Sequence, residues 1–232
     1  SQLQEIVSFL EVAPEDVLVE IGAGSGFLTR FLSTTGATIY SIELDKKLAM
    51  KLKDQVPKNV TIIEGDFLSL DLLEIANKHP GKKLKIVGNI PYQITSPIIS
   101  RLFGEIGEPR PWSSMLEKVV LTMQMEVAQR LTAKPGTKAY SQLTLLKNYF
   151  FEARILFKVP PKSFYPVPNV GSAVVLMVPL EKPPIVSDNL ILLRKVIQAG
   201  FKQRRKMLKN NLSFLSGRKI SPLNNSIILS TD

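Results

Sequence analysis

The sequence predicts an α/β fold: a mostly parallel, Rossmann-like, seven-stranded sheet with helices on both faces, followed by a small helical segment. Three observations carry this. Short apolar runs of strand length alternate with helix-length amphipathic stretches through residues 1–180. The first run, Val17-Leu18-Val19-Glu20-Ile21, feeds into Gly22-Ala23-Gly24-Ser25-Gly26 and then into an apolar helix beginning at Phe27. Later runs end at or near an acid or an amide: Glu43, Asp66 and Asn89. Right-handed crossovers put the carboxyl ends of parallel strands on one rim, so these residues share an edge with the glycine loop.

Each element has its own signal. Leu3, Ile6, Val7 and Leu10 recur at helical spacing, which predicts a helix over 3–10. Pro14-Glu15-Asp16 is a turn before the strand over 17–21, and Gly36 ends the helix over 27–32. A second strand covers 38–43. Asp45 then caps a helix with Leu48, Ala49 and Leu52 on one face. Strands over 60–64 and 84–87 flank a short helix over 70–76. Ser96 reads as an N-cap with Pro97 at the first helical position, and Gly104 stops that helix. A fifth strand covers 119–123, with helices over 126–131 and 141–148 behind it. Strands over 150–159 and 172–178 are close enough to pair antiparallel at one edge. Glu181-Lys182-Pro183-Pro184 reads as a linker, which divides the chain into 1–180 and 181–232. Beyond it, Leu190, Leu193, Ile197, Phe201 and Leu208 mark one long helix over 189–212.

Composition excludes several classes. The chain has 232 residues, 44% of them hydrophobic, enough for a sizeable core. No apolar stretch approaches the length of a membrane span, and the first residues read as a helix start rather than a signal peptide. There is no cysteine, which removes disulfides and thiolate metal sites. The single histidine, His79, sits in Lys78-His79-Pro80-Gly81 and reads as a solvated turn residue, so no metal site is expected. Net charge is +10. Residues 181–232 hold ten Lys/Arg against three Asp/Glu, a net +7, which leaves +3 for the rest. A basic end on a nearly balanced body points to a nucleic-acid partner or an anionic surface.

The glycine loop is Gly-x-Gly-x-Gly, with Phe27 where a dinucleotide-binding loop carries its last glycine. Glu20 stands directly before Gly22 and Gly24. A carboxylate there repels a phosphate and suits a cationic group, such as the ammonium of S-adenosylmethionine. Glu43 is placed to accept from ribose hydroxyls. Asp66 can accept from an adenine amine, with Phe67 or Ile21 for apolar contact.

Gly88-Asn89-Ile90-Pro91-Tyr92 then reads as the reaction centre. An exocyclic adenine amine is a poor nucleophile, because its lone pair is delocalised into the ring. Accepting its N–H bonds with the Asn89 side-chain oxygen and a carbonyl of Ile90 or Pro91 favours a pyramidal, nucleophilic nitrogen. Tyr92 would stack on the base. Phe164, in the proline-rich stretch 159–168, is a second stacking candidate. Such stacking contributes roughly 1–3 kcal/mol per base. Lys202, Arg204, Arg205, Lys206 and Lys209 form an acid-free basic run suited to RNA phosphates.

Together these stretches resemble the ribosomal RNA adenine N6,N6-dimethyltransferases, specifically the bacterial branch acting on small-subunit (16S) rRNA. The matching segments include Val19-Glu20-Ile21-Gly22-Ala23-Gly24, Val87-Gly88-Asn89-Ile90-Pro91-Tyr92, Gln124-Met125-Glu126-Val127-Ala128, Phe164-Tyr165-Pro166 and Phe201-Lys202-Gln203-Arg204-Arg205-Lys206. The resemblance implies a class I S-adenosylmethionine-dependent methyltransferase fold. It implies cofactor contacts from Gly22, Glu43, Asp66 and Asn89, and an adenine sandwiched by Tyr92 and Phe164. It implies two methyl groups added to each of two adjacent adenosines near the 3′ end of small-subunit rRNA. A cytoplasmic monomer that meets the small ribosomal subunit, without membrane or metal, is expected. Two alternatives stand beside this reading. One is a large-subunit (23S) rRNA adenine methyltransferase conferring macrolide resistance. The other is a non-catalytic RNA-binding assembly factor.

Overall fold

The structure is a computed structural model and describes residues 2–90, 92–163, 167, 169–203 and 206–213. Seven strands form one sheet: β1 (Val17–Ile21), β2 (Thr38–Glu43), β3 (Val60–Glu64), β4 (Leu84–Asn89), β5 (Leu116–Gln124), β6 (Phe151–Val159) and β7 (Ser172–Pro179). Their order is β3-β2-β1-β4-β5-β7-β6. The first five are parallel. β7 runs antiparallel between β5 and the edge strand β6. The helices are α1 (Gln2–Leu10), α2 (Phe27–Ser33), α3 (Lys46–Lys53), α4 (Leu72–Ala76), α5 (Thr95–Phe103), α6 (Met125–Leu131), α7 (Gln142–Phe150), α8 (Leu190–Lys202) and α9 (Leu208–Asn211).

β1 lies at the centre and is buried along its whole length. Its alternate residues serve two cores. Val17, Val19 and Ile21 join one layer with Leu72, Ile98 and Leu102 of α4 and α5. Leu18 joins the other with Ile6 and Leu10 of α1, Leu32 of α2 and Leu52 of α3. Glu20 shares the face of Leu18, so its carboxylate points toward α2. Asp45 caps α3 by accepting from the backbone N–H groups of Lys47 and Leu48, at 2.8 and 3.0 Å, as its position predicts.

Three expectations change. Ser96 is not the N-cap of α5: a 3₁₀ turn over Tyr92–Ile94 runs straight into the helix, which begins at Thr95. Pro97 still falls in the first turn, where its missing N–H leaves no bond unmade. The long helix expected over 189–212 is two helices, broken between Lys202 and Leu208. Asn211 folds back to donate to the carbonyls of Gly200 and Gln203. Lys202 and Lys206 would repel one helical turn apart. His79 is not simply solvated: its Nε2 pairs with the Tyr40 hydroxyl at 2.9 Å, with the rings edge to face.

A short hairpin joining Gly104–Glu105 to Glu108–Pro109 carries no clear sequence signal. It receives α8, where Arg194 bridges Glu105 and Glu108 at 2.8 and 3.0 Å. Residues 180–189, around the prolines, form neither helix nor strand.

β1 and β4 approach closely at the rim. Gly88 pairs with Ile21, and a Cβ on Gly88 would lie 2.8 Å from the Ile21 carbonyl oxygen, a backbone atom. Gly88→Ala is therefore expected to lose about 1–3 kcal/mol of stability through overpacking. Urea unfolding measures this, and an unchanged midpoint would show that the strands are not in such contact.

Candidate active site

The register aligns the strand ends on one rim. Ile21 pairs with Ile42 and with Gly88, Glu43 with Glu64, and Asn89 with Thr122. A cavity of about 590 Å³ opens there. Its walls are Gln2, Leu3 and Ile6 of α1, Glu20, the loop from Gly22 to Ser25, and Phe27 and Leu28 of α2. Its floor takes Asn89, Thr122, Val174 and Phe157. Thr122 pairs with both Asn89 and Val174, and Val174 pairs with Phe157. These four residues are thus one transverse row across four strands.

Glu20 is only 1% exposed. Its Oε2 accepts from the Ser41 hydroxyl at 2.5 Å and the Thr29 hydroxyl at 2.6 Å. Its Oε1 is buried without a hydrogen-bond partner. Burial pushes this carboxyl above the ordinary range against the pull of the two hydroxyls, and nearby Glu43 adds to the rise. The cavity wall thus holds a carboxylate with an unmet demand for a donor.

The loop needs its glycines for backbone conformation. Gly22, Gly24 and Gly26 have φ of 77°, 56° and 78°, a region that disfavours side chains. Gly26 is also crowded, since a Cβ there would meet Leu52 at 2.4 Å. Glu43 braces the loop: one carboxylate oxygen accepts from Gly24 N–H at 2.6 Å and the other from Asp45 N–H at 2.8 Å. Each oxygen keeps a further lone pair for a ligand hydroxyl.

The predicted residues divide into groups. Glu20, Gly22, Gly24 and Asn89 meet around the cavity. Glu43 is buried against the loop it braces. Asp66 is exposed, and its Oδ1 accepts from Leu68 N–H at 2.9 Å, closing the turn after β3. The side chains of Phe67 and Ile21 belong to the core, 5% and 3% exposed. The exposed apolar side chain at that edge is Leu44, beside Glu43. The Ile90 side chain is buried too, leaving its backbone as the functional part.

Pro91, Phe164, Arg204 and Arg205, and the Tyr92 side chain, lie outside the described residues. Ser163, next to Phe164 in sequence, lines the cavity. Lys202, Lys206 and Lys209 are exposed. Among the described residues, no group of three or more His, Asp or Glu is placed to hold a metal. Nor is any helix long and apolar enough to cross a membrane.

Sequence reasoning missed Thr29, Ser41, Thr122 and the α1 wall. Ser41 and Thr122 carry a faint signal as single hydroxyls inside otherwise apolar strand centres. Thr29 and α1 carry none, because their roles arise only from packing across the sheet.

Comparison with known proteins places this arrangement. The family described as Ribosomal RNA adenine dimethylase matches residues 1–230. A protein named Ribosomal RNA small subunit methyltransferase A from Synechocystis is 41% identical over 225 residues, 92% of this chain and 78% of the relative. A protein of the same name from Chlorobium phaeobacteroides is 44% identical over 209 residues, 90% and 73% of the two chains. Among solved structures, a dimethyladenosine transferase from Plasmodium falciparum gives a TM-score of 0.72 at 26% identity, covering 91% of this chain and 72% of that one. A 23S rRNA methyltransferase, ErmE, also gives 0.72 at 26% identity, covering 92% and 81%.

The electrostatics of Glu20 make a prediction. A carboxyl raised in the folded state holds its proton longer than in the unfolded chain. Its contribution to stability is therefore lost as pH rises from the ordinary carboxylate range through the raised value. Glu20→Gln, whose amide oxygen can still accept from Ser41 and Thr29, should be more stable than the parent at neutral pH and lack that part of the decline. Thermal melts across the acid-to-neutral range check this, and parallel curves would refute it.

Proposed function

The chain belongs to the ribosomal RNA adenine dimethylase family, and from that premise we propose that it dimethylates adenosine N6 in small-subunit (16S) rRNA using S-adenosylmethionine. The targets are two adjacent adenosines near the 3′ end, modified during assembly of the small ribosomal subunit by a cytoplasmic monomer. Relatives near 40% identity carry the small-subunit name. The large-subunit alternative rests on fold likeness at lower identity, so it is not favoured.

The cavity fits the cofactor. The orphaned Oε1 of Glu20 matches a ligand ammonium, and among the described residues lining the cavity there is no Lys or Arg to meet a phosphate. Gly22 and Gly24 let the backbone approach the ligand. Glu43 accepts from ribose hydroxyls with its free lone pairs, and Asp66 from the adenine amine. When bound, S-adenosylmethionine supplies an electrophilic sulfonium methyl group.

The chain's own residues prepare the nucleophile. The Asn89 side-chain oxygen and a carbonyl of Ile90 or Pro91 accept the two N–H bonds of the target amine. This draws the nitrogen lone pair out of ring conjugation and aims it into the cavity. Tyr92 and Phe164 clamp the base between two aromatic faces. No strong base is required, because the proton is lost from a nitrogen made acidic by methylation. Orientation and matched hydrogen bonds lower the barrier. RNA is held by Lys202, Arg204, Arg205, Lys206 and Lys209, with 181–232 acting as the RNA-binding domain.

The observation that carries this reading is the placement of Asn89 around one cavity with Glu20, whose Oε1 has no partner. Methyl transfer from labelled cofactor to undermethylated small subunits and to large-subunit RNA, with base mapping, tests it. Label in large-subunit RNA alone would overturn the target, and no cofactor binding would favour the assembly-factor alternative. Asn89→Ala should lower the transfer rate far more than RNA affinity, and equal losses in both would remove its catalytic role. Replacing Arg204 and Arg205 with Ala should weaken RNA binding and reduce the salt slope by about one per lost phosphate contact. An unchanged slope would move the contact elsewhere.

A further inference from the structure

Lys85 is an anomaly of β4: a lysine with a side chain 5% exposed in the centre of a parallel sheet. Its Nζ donates to Asp16 Oδ2 at 2.6 Å and to the Glu11 carbonyl at 2.7 Å, with Glu117 at 3.5 Å. Asp16 also accepts from Ala13 N–H at 2.7 Å. From β5, Lys118 pairs with the Glu11 carboxylate. Two lysines rising from the sheet therefore seize the residue that ends α1. Glu11 is held at φ 49°, a region a non-glycine residue rarely adopts.

The other end of α1 is the cavity wall, formed by Gln2, Leu3 and Ile6. Lys85, Val87 and Asn89 alternate onto the same sheet face, so four residues separate the clamp from the catalytic amide, roughly 13 Å along the strand. Helix α1 has nine residues, which is again roughly 13 Å. The helix thus spans the distance from Lys85 to the cavity. A helix this short is marginal alone, so its placement comes from docking. Its buried stripe is Ile6 and Leu10, and apolar contact is non-directional. Directional bonds fix its carboxyl end at Glu11.

We infer that Lys85 is a positioning residue for the cofactor cavity, acting through α1: it fixes the far end of the helix whose near end forms the wall. This rests on the cofactor reading above and adds a remote determinant of cofactor affinity. The effect is assigned to the cofactor end of the cavity, so RNA binding is expected to be unaffected.

The test is calorimetric titration of S-adenosylmethionine into the full chain, without RNA, followed by methyl-transfer kinetics. Lys85→Met should raise the cofactor Kd roughly tenfold, the equivalent of about 1.4 kcal/mol. The kcat at saturating cofactor and the KM for RNA should stay unchanged. Lys85→Arg should restore affinity, and amide exchange in α1 should quicken in the Met variant alone. A folded Lys85→Met protein with parental Kd would overturn the inference. So would equal changes in kcat and both KM values. Should Lys85→Met fail to fold, Asp16→Asn decides: a raised Kd supports the inference and a parental Kd overturns it. A parental chain that binds no cofactor would overturn the cofactor reading itself, and this inference with it.

Discussion

The site depends on a carboxylate that the fold buries without fully satisfying. Moving an ionised carboxyl from water into a protein interior is costly unless partners replace its hydration. Glu20 obtains two hydroxyl donors, from Ser41 and Thr29, both on one oxygen. The second oxygen is buried with no partner. A structure selected only for stability would not leave it so. The deficit becomes an asset when a cation enters, because the ion pair then forms where water is scarce and screening is weak. The same burial that weakens the empty protein sets the sign and place of the ligand charge.

That carboxylate works only because β1 and β4 bring it beside Asn89. The parallel register places Glu20 one residue below the rim and Asn89 one residue above Gly88, and Gly88 permits the close contact with Ile21. On the proposed reading, the ligand's charged end and the target amine are thereby referred to adjacent strands of one sheet. Amine methylation has little need of proton-transfer groups and great need of alignment. A sheet rim supplies alignment better than loops do.

Much of this was legible in the sequence, for a physical reason: strand-end chemistry is written locally. The alternation of apolar runs and the glycines before α2 each declare their conformation within a few residues. What remained hidden depends on partners distant in sequence. Phe67 looks like a ligand contact beside Asp66 until the packing of α4 and α5 claims it for the core. The break between α8 and α9 does not follow from apolar spacing, since Leu208 continues the stripe of Leu190, Leu193, Ile197 and Phe201. Lys85 carries no local sign of its role, because Glu11 and Asp16 reach it only in the folded sheet.

On the proposed reading, chemistry and target choice occupy different parts of the chain, and the charge distribution agrees with that division. The body carrying the cavity is nearly balanced, whereas 181–232 holds most of the net charge. Its first helix is fastened to the body by Arg194 across the hairpin acids. Exposed ion pairs of this kind contribute little to stability, but a guanidinium bridging two carboxylates restricts direction. A dimethyladenosine transferase and a 23S rRNA methyltransferase match this chain equally well, at a TM-score of 0.72 over 91% and 92% of its length. Fold likeness alone therefore does not separate the two, and on the proposed reading the choice of RNA falls to the basic segment 181–232.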